Sequence, residues 1–194
     1  MNKGNLIIIS GPSGVGKSTI RKRLVEENKN FWYSISMTTR KPRIDEKTGL
    51  LEENGKEYYF VSLEEFKKNI ENNNFLEYTE VYKDTYYGTL KSIVMDKLNN
   101  GINVILEIDV DGALKIKQNY NEAILIFIKP KTMEELENRL RSRKSDSEEK
   151  IKERLEKAIY EIKKSIYYDY VVESTTRDED YEKILNIVLK KVEN

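Results

Sequence analysis

Short apolar runs recur along the chain at Leu6–Ile9, Val104–Ile108, Ile124–Ile128 and Tyr170–Val172. Unbroken runs of this length predict strands buried on both faces of a parallel sheet, where neither side of the pleat meets water. Between them the spacing becomes helical. Ser18 to Asn28 follows a glycine-rich turn, Gly112–Gln118 has the place of a crossover helix, and Thr132 can cap a helix to about Arg141. Glu148–Ile166 carries Ile151, Leu155, Ala158, Ile159, Ile162 and Ile166 as an amphipathic stripe, and Tyr181–Val192 predicts a closing helix.

Residues 34–90 read differently, with short tyrosine-rich strands expected at Tyr33–Met37, Glu57–Val61 and Phe75–Val81. Ser62-Leu63-Glu64-Glu65 has the form of a capping box opening a helix to about Asn72, and Thr89–Asn99 predicts a helix closed by Asn100-Gly101. Ile44–Asn54 is polar and loop-like. The alternation of strands and helices predicts an α/β fold: a parallel-sheet core with helices on both faces and right-handed crossovers. The core is expected at 1–33 and 90–194, with a helical lid at about 130–155. A small, mostly-β sub-domain is expected at 34–89.

The turn after the first run reads Gly11-Pro12-Ser13-Gly14-Val15-Gly16-Lys17-Ser18. This is the P-loop pattern in its required setting, a strand before and a helix after. Its glycines let consecutive main-chain N–H groups point into one concavity, and the helix N-terminus adds partial positive charge. Lys17 can bridge terminal phosphates, the Ser18 hydroxyl can ligate Mg²⁺, and Thr19 completes the ATP-binding stretch 11–19. No N-K-x-D element for reading the guanine of GTP occurs late in the chain, and 194 residues are few for a large ATPase.

Composition narrows the chemistry further. The chain has no histidine and no cysteine, which excludes imidazole acid–base catalysis, Ser-His-Asp hydrolysis, thiolate nucleophiles, disulfides and Cys- or His-held metals. Phosphoryl transfer survives this cut, because it needs positioning and charge neutralisation more than covalent chemistry. Lys+Arg and Asp+Glu are 34 each, so no bulk field attracts nucleic acid or anionic lipid, and any anion site must come from local arginines and lysines. No apolar stretch is long enough to span a bilayer, and Leu6–Ile9 is too short for a signal-peptide core, so a cytoplasmic protein is expected.

Beyond the P-loop, several stretches come in one order: Ser34-Ile35-Ser36-Met37-Thr38-Thr39-Arg40-Lys41-Pro42-Arg43, Asn54 to Ser62, Phe75-Leu76-Glu77-Tyr78, Tyr86-Tyr87-Gly88-Thr89, Leu106 to Gly112, and the arginine-bearing run Arg139 to Arg154. In these the sequence resembles guanylate kinases, across nearly its whole length. The resemblance implies phosphoryl transfer from ATP with Mg²⁺ onto GMP, with dGMP as a second acceptor. ATP and GMP would be its partners, with no nucleic acid or membrane, in a monomer or homodimer.

The resemblance also implies that Arg40, Arg43, Tyr58 and Tyr87 hold the GMP phosphate. The physics agrees: two guanidinium forks three residues apart, in a turn broken by Pro42, can grip one phosphate bidentately. Glu77 fits a guanine reader, since one ionised carboxylate accepts from both N1–H and the exocyclic amine but repels the lone pair at N1 of adenine. Two such bonds, at about 1.5–3 kcal/mol each, give at least tens-fold base discrimination. By resemblance Ser36, Thr89 and Asp109 surround the base. Glu107 and Asp109 end an apolar strand, where ligands gather in open α/β folds, and alternation places both on one face. Glu107 can orient Mg²⁺ through water, a role the family usually gives to an aspartate. Arg139, Arg143 and Arg154 match the family's lid arginines, with Arg139 and Arg143 four apart on one helical face.

The sequence departs from the family in four further places. Ile44–Asn54 is longer than usual, Asp111 replaces a common glutamine, Ser142 and Lys144 replace lid glycines, and Glu173-Ser174-Thr175-Thr176 replaces an Asn-Asp-Asp run near the adenine pocket. Two other functions stay open: a scaffold module that uses the acceptor site for phosphopeptides, and a kinase for another small phosphate. The intact P-loop and lid arginines favour catalysis, and Glu77 with Thr89 favours guanine.

Overall fold

The computed structural model describes residues 3–44, 49–142 and 146–192. Five strands form a parallel sheet: β1 (Leu6–Ser10), β2 (Phe31–Tyr33), β7 (Asn103–Glu107), β8 (Ile124–Lys129) and β9 (Tyr170–Glu173), in the order β2-β7-β1-β8-β9. The apolar runs are continuous because each strand feeds two cores. Ile7, Ile9, Ile105, Ile126 and Ile128 face α1 (Lys17–Glu27) and α7 (Arg177–Val192), packing on Leu24, Ile184 and Val188. Their neighbours Leu6, Ile8, Val104, Leu106, Leu125 and Phe127 face the other way. They pack on α3 (Lys91–Asn99) and α4 (Val110–Asn119) through Val94, Leu98, Ala113 and Ile116. Each central isoleucine is fully buried, which stabilises by about 1.5–3 kcal/mol per side chain.

A second sheet of four strands, in the order β4-β3-β6-β5, holds β3 (Met37–Thr38), β4 (Tyr59–Phe60), β5 (Phe75–Tyr82) and β6 (Thr85–Leu90). Here β5 and β6 pair antiparallel, and α2 (Leu63–Glu71) buries Phe66 against Phe75 with ring centroids 4.6 Å apart. The Ser62 hydroxyl accepts from the Glu65 main-chain N–H, the cap that the sequence predicts. Thr132 caps α5 (Met133–Arg141) in the same way, and Ser147 caps α6 (Glu148–Lys164). Gly101 takes the left-handed conformation expected after α3.

Several expected elements need correction. Tyr33–Met37 is not one strand but the end of β2 and the start of β3, in different sheets. Ser34 N–H still bonds the Ile105 carbonyl, after which the chain crosses over; extended propensity reports the conformation, not the partner. Only Tyr59–Phe60 of Glu57–Val61 is strand. Thr89 and Leu90 belong to β6, where they pair with Glu77 and Phe75, so the next helix begins at Lys91. In α6 the helix stops at Lys164 and passes into a 3₁₀ turn, and Ile159 and Ile166 are exposed. The inner face there is set by Ile151, Ala158 and the buried Glu161.

Helix α7 starts at Arg177 rather than Tyr181. Thr176 and Glu179 cap it reciprocally: the Glu179 N–H donates to the Thr176 hydroxyl (3.3 Å), and the Thr176 N–H donates to the Glu179 carboxylate (3.4 Å). Its first turn, Asp178-Glu179-Asp180, is acidic and suits the helix dipole while carrying no apolar stripe to signal it. Among the described residues no helix is long and apolar enough to cross a membrane.

Candidate active site

The P-loop joins β1 to α1 at the carboxyl edge of the parallel sheet. Gly11 has φ +146°, and a Cβ there would sit 2.3 Å from the Ile128 carbonyl oxygen, so the loop leaves β1 along a path open only to glycine. Val15 is buried beneath the loop and its N–H donates to the Pro12 carbonyl (3.2 Å). Lys17 Nζ donates to the carbonyls of Gly11 (2.6 Å) and Pro12 (3.1 Å), which draws the ammonium over the concavity. A cleft of about 1110 Å³ opens above, walled by Gly11, Ser13 to Thr19, Glu107 to Asp109, and residues of α5, α6 and the β9–α7 connection.

The Ser18 hydroxyl donates to Glu107 Oε1 (2.7 Å), and Arg21 Nε donates to the other carboxylate oxygen (3.2 Å). Hydroxyl and carboxylate oxygens are the hard donors Mg²⁺ takes, so the pair fits such an ion. No cluster of three or more acidic ligands exists among the described residues, so phosphate oxygens and water would fill the rest of the shell. Strand β7 ends at Glu107 and Asp109 is the N-cap of α4, so strand alternation does not relate the two residues as expected. Both nonetheless line the cleft.

The arginines predicted for the lid come together only in part. Arg139 Nη1 donates to the Val15 carbonyl (3.3 Å) and to Ser174 Oγ (3.3 Å), while Nη2 pairs with Glu135 (2.5 Å). Arg154 Nη1 donates to Ser13 Oγ in the P-loop (2.5 Å), and its Nε pairs with Asp146 (3.2 Å). Arg143 and Lys144 lie outside the described residues. Arg141 pairs with Glu137 and Glu148 instead.

The residues predicted for GMP, Asp109 apart, lie beyond that cleft and gather on the small sheet. Arg40, just past β3, donates through Nε to the Tyr87 hydroxyl (3.0 Å), and its two terminal nitrogens bond both oxygens of Glu52 (2.8 and 2.9 Å). Tyr58 packs edge-on to Tyr87 and lies against the Arg40 guanidinium. Arg43 keeps an exposed side chain and gives its main-chain N–H to Glu52 Oε2 (2.8 Å). Ser36 accepts at its main-chain carbonyl from Tyr59 N–H (2.9 Å).

Two residues along β6 from Tyr87, on the same face, Thr89 donates its hydroxyl to Glu77 Oε1 (2.7 Å), its partner across the β5–β6 ladder. Glu77 is 8% exposed. Burial and the neighbouring Asp109 charge push its carboxyl up to about 7, against the opposing pull of Thr89 and Lys115. Asp109 accepts from the Gly112 N–H (2.8 Å) and so caps α4 beside Glu77. A Cβ on Gly112 would lie 3.0 Å from Glu77 Oε2 and 3.4 Å from Asp109 Oδ1, so the two carboxyl groups converge on one point of that helix.

The family profile for guanylate kinase matches residues 3–191. This chain belongs to the guanylate kinase family. The guanylate kinase of Clostridium tetani is 49% identical over 188 residues, covering 97% of this chain and 86% of that protein. That of Prochlorococcus marinus subsp. pastoris is 44% identical over 187 residues, covering 96% and 98%. The crystal structure of guanylate kinase from Anaplasma phagocytophilum matches with a TM-score of 0.77 at 31% identity, over 100% of this chain and 88% of that one.

Sequence reasoning gave no role to Glu52, Arg21, Gly112 or Asp180, and marked Ser174 only as part of the departing stretch near the adenine pocket. Glu52 stands in the polar stretch 44–54, where nothing in the spacing marks one glutamate as the partner of Arg40. Arg21, one turn into α1 from Ser18, could have been placed by the i, i+3 rule as a neighbour of whatever Ser18 meets.

Proposed function

We propose that this member of the guanylate kinase family transfers the terminal phosphoryl group of ATP to GMP, giving ADP and GDP, and that dGMP also serves as acceptor. The observation that carries the acceptor assignment is the buried Glu77, paired with Thr89 and set beside Asp109. A carboxyl that strongly shifted is costly unless a ligand repays it, and guanine offers two adjacent donors. Binding them favours the ionised form. Adenine presents a lone pair in the same place, so it is rejected electrostatically.

On the donor side, the P-loop amides and Lys17 would hold the ATP phosphates, while Arg139 and Arg154 neutralise charge that builds on the transferring group. Ser18 and Glu107 would hold Mg²⁺, which when bound supplies charge neutralisation at the phosphate oxygens. Arg43, Tyr58 and Tyr87 would grip the acceptor phosphate and fix its oxygen in line with the donor, with Arg40, its fork held by Glu52, adding positive charge beside them. In our reading residues 34–89 form the acceptor-binding unit, and the remainder forms the ATP core with a lid at about 130–155.

The test is ADP release measured across GMP, dGMP, IMP, AMP, UMP and CMP. Turnover with GMP and dGMP, weak turnover with IMP for want of the exocyclic amine, and none with AMP is expected. Equal turnover with AMP would remove Glu77 as base reader.

A further inference from the structure

Ser174 follows β9 within the stretch that departs from the family, and its N–H donates to the Lys129 carbonyl at the end of β8 (2.8 Å). It is 1% exposed, and its hydroxyl donates to Asp180 Oδ2 (2.8 Å) in the first turn of α7. Asp180 is 3% exposed, and its other oxygen accepts from the Thr175 main-chain N–H (2.7 Å) and hydroxyl (3.2 Å). A carboxylate only accepts, so the serine proton is committed to it and the serine oxygen presents lone pairs elsewhere. They meet Arg139 Nη1 at 3.3 Å, on the nitrogen that also reaches the Val15 carbonyl.

Arg139 therefore has anchors on three elements. Its pair with Glu135 lies within α5, with both side chains about one-third exposed, and partly exposed i, i+4 pairs hold a side chain weakly. Val15 is part of the loop that must accommodate phosphate. Ser174 is the rigid anchor: buried, tied to β8 through the main chain and to α7 through Asp180. Packing alone does not account for Asp180, because burying a carboxylate among hydroxyls and an N–H costs more than burying an apolar side chain.

We propose that Asp180 and Ser174 are positioning residues that hold Arg139 over the P-loop for phosphoryl transfer, a role that rests on Arg139 acting on the ATP phosphates. The carboxylate fixes the serine proton, and the polarised serine oxygen fixes the guanidinium.

The test is a double-mutant cycle of Ser174→Ala and Arg139→Ala in the full chain, read by kcat and by calorimetric affinity for a non-hydrolysable ATP analogue. Ser174→Ala is expected to lower kcat about tenfold, the worth of one hydrogen bond to a charged group, with KM for GMP unchanged. It should cost nothing further once Arg139 is alanine, and Ser174→Thr should restore most of the loss. Asp180→Asn should act like Ser174→Ala where it folds. Additive losses, or normal kcat in well-folded Ser174→Ala, would overturn the proposal. The analogue affinities form the same cycle without GMP, so wild-type protein inactive on GMP would refute the proposed activity and leave this inference to be decided by calorimetry.

Discussion

Glu52 fills the guanidinium fork of Arg40 with both carboxylate oxygens, at 2.8 and 2.9 Å, and the side chains are only 9% and 17% exposed. The same carboxylate accepts from the Arg43 N–H, and the Glu52 N–H donates to the Arg43 carbonyl (2.9 Å). One residue thus orients one proposed phosphate-binding arginine and fixes the backbone of the other. The pair also holds the Arg40 pKa above its usual value and the Glu52 pKa below.

Removing Glu52 leaves a nearly buried guanidinium without its counter-charge. Glu52→Ala should therefore destabilise the protein by about 3 kcal/mol in urea unfolding. KM for GMP should rise while KM for ATP holds. Glu52→Gln keeps one acceptor and should do less of both. A pH titration supplies the sign: the depressed Glu52 carboxyl contributes stability that is present above its unfolded value and lost as pH falls into the acid range.

Glu77→Gln should raise KM for GMP by at least about tenfold and leave KM for ATP unchanged, because one charged acceptor becomes a neutral amide that meets N1–H or the amine but not both. In the unsubstituted protein, GMP affinity should fall as pH drops through about 7, where the empty Glu77 takes up its proton. The variant should show a flat profile over the same range. Stability follows the opposite course. A carboxyl raised from 4.5 to about 7 by burial penalises the folded state increasingly as pH rises across that interval, so Glu77→Gln should melt higher than the parent at pH 8 and alike at pH 4.

Lys17→Ala should abolish turnover, by at least about a hundredfold, through loss of a preorganised charge at the donor phosphates. Its ammonium bonds the Gly11 and Pro12 carbonyls of its own loop, which main-chain bonds and the buried Val15 hold independently, so the melting temperature should move little. Full activity in the variant would defeat the P-loop assignment.

Glu107→Gln should raise the Mg²⁺ concentration for half-maximal activity by about tenfold. The Ser18 hydroxyl loses a charged partner and Arg21 loses its ion pair. An unchanged Mg²⁺ requirement would exclude Glu107 from the ion's surroundings.

The parallel core was legible because its strands are buried on both faces, and burial of that kind writes itself as an unbroken apolar run. The P-loop was legible because its glycines, lysine and serine must stand at fixed spacing between a strand and a helix. The small sheet was harder to read. Thr85–Leu90 alternates weakly, and its pairing with Phe75–Tyr82 depends on a hairpin at Lys83-Asp84, where Asp84 adopts φ +59°. Pairings that cross the chain left no local trace. Arg40 with Glu52 is decided by how the connection after β3 folds back, and Ser174 with Asp180 by where the turn after β9 meets the first turn of α7. Glu161 was hidden for another reason: a periodicity count assigns the inner face of α6 to its isoleucines, whereas the cleft draws a glutamate inward.

Gly112 touches no proposed substrate atom, yet it sits where the carboxyl groups of Glu77 and Asp109 come nearest to α4. A single methyl there would have to push one charge away from the other or force the strand off the helix. With Glu77 as the proposed base reader, the choosiness of the acceptor pocket is expected to depend partly on the thickness of a helix backbone, and drift at this position to retune selectivity while the proposed contact residues stay the same.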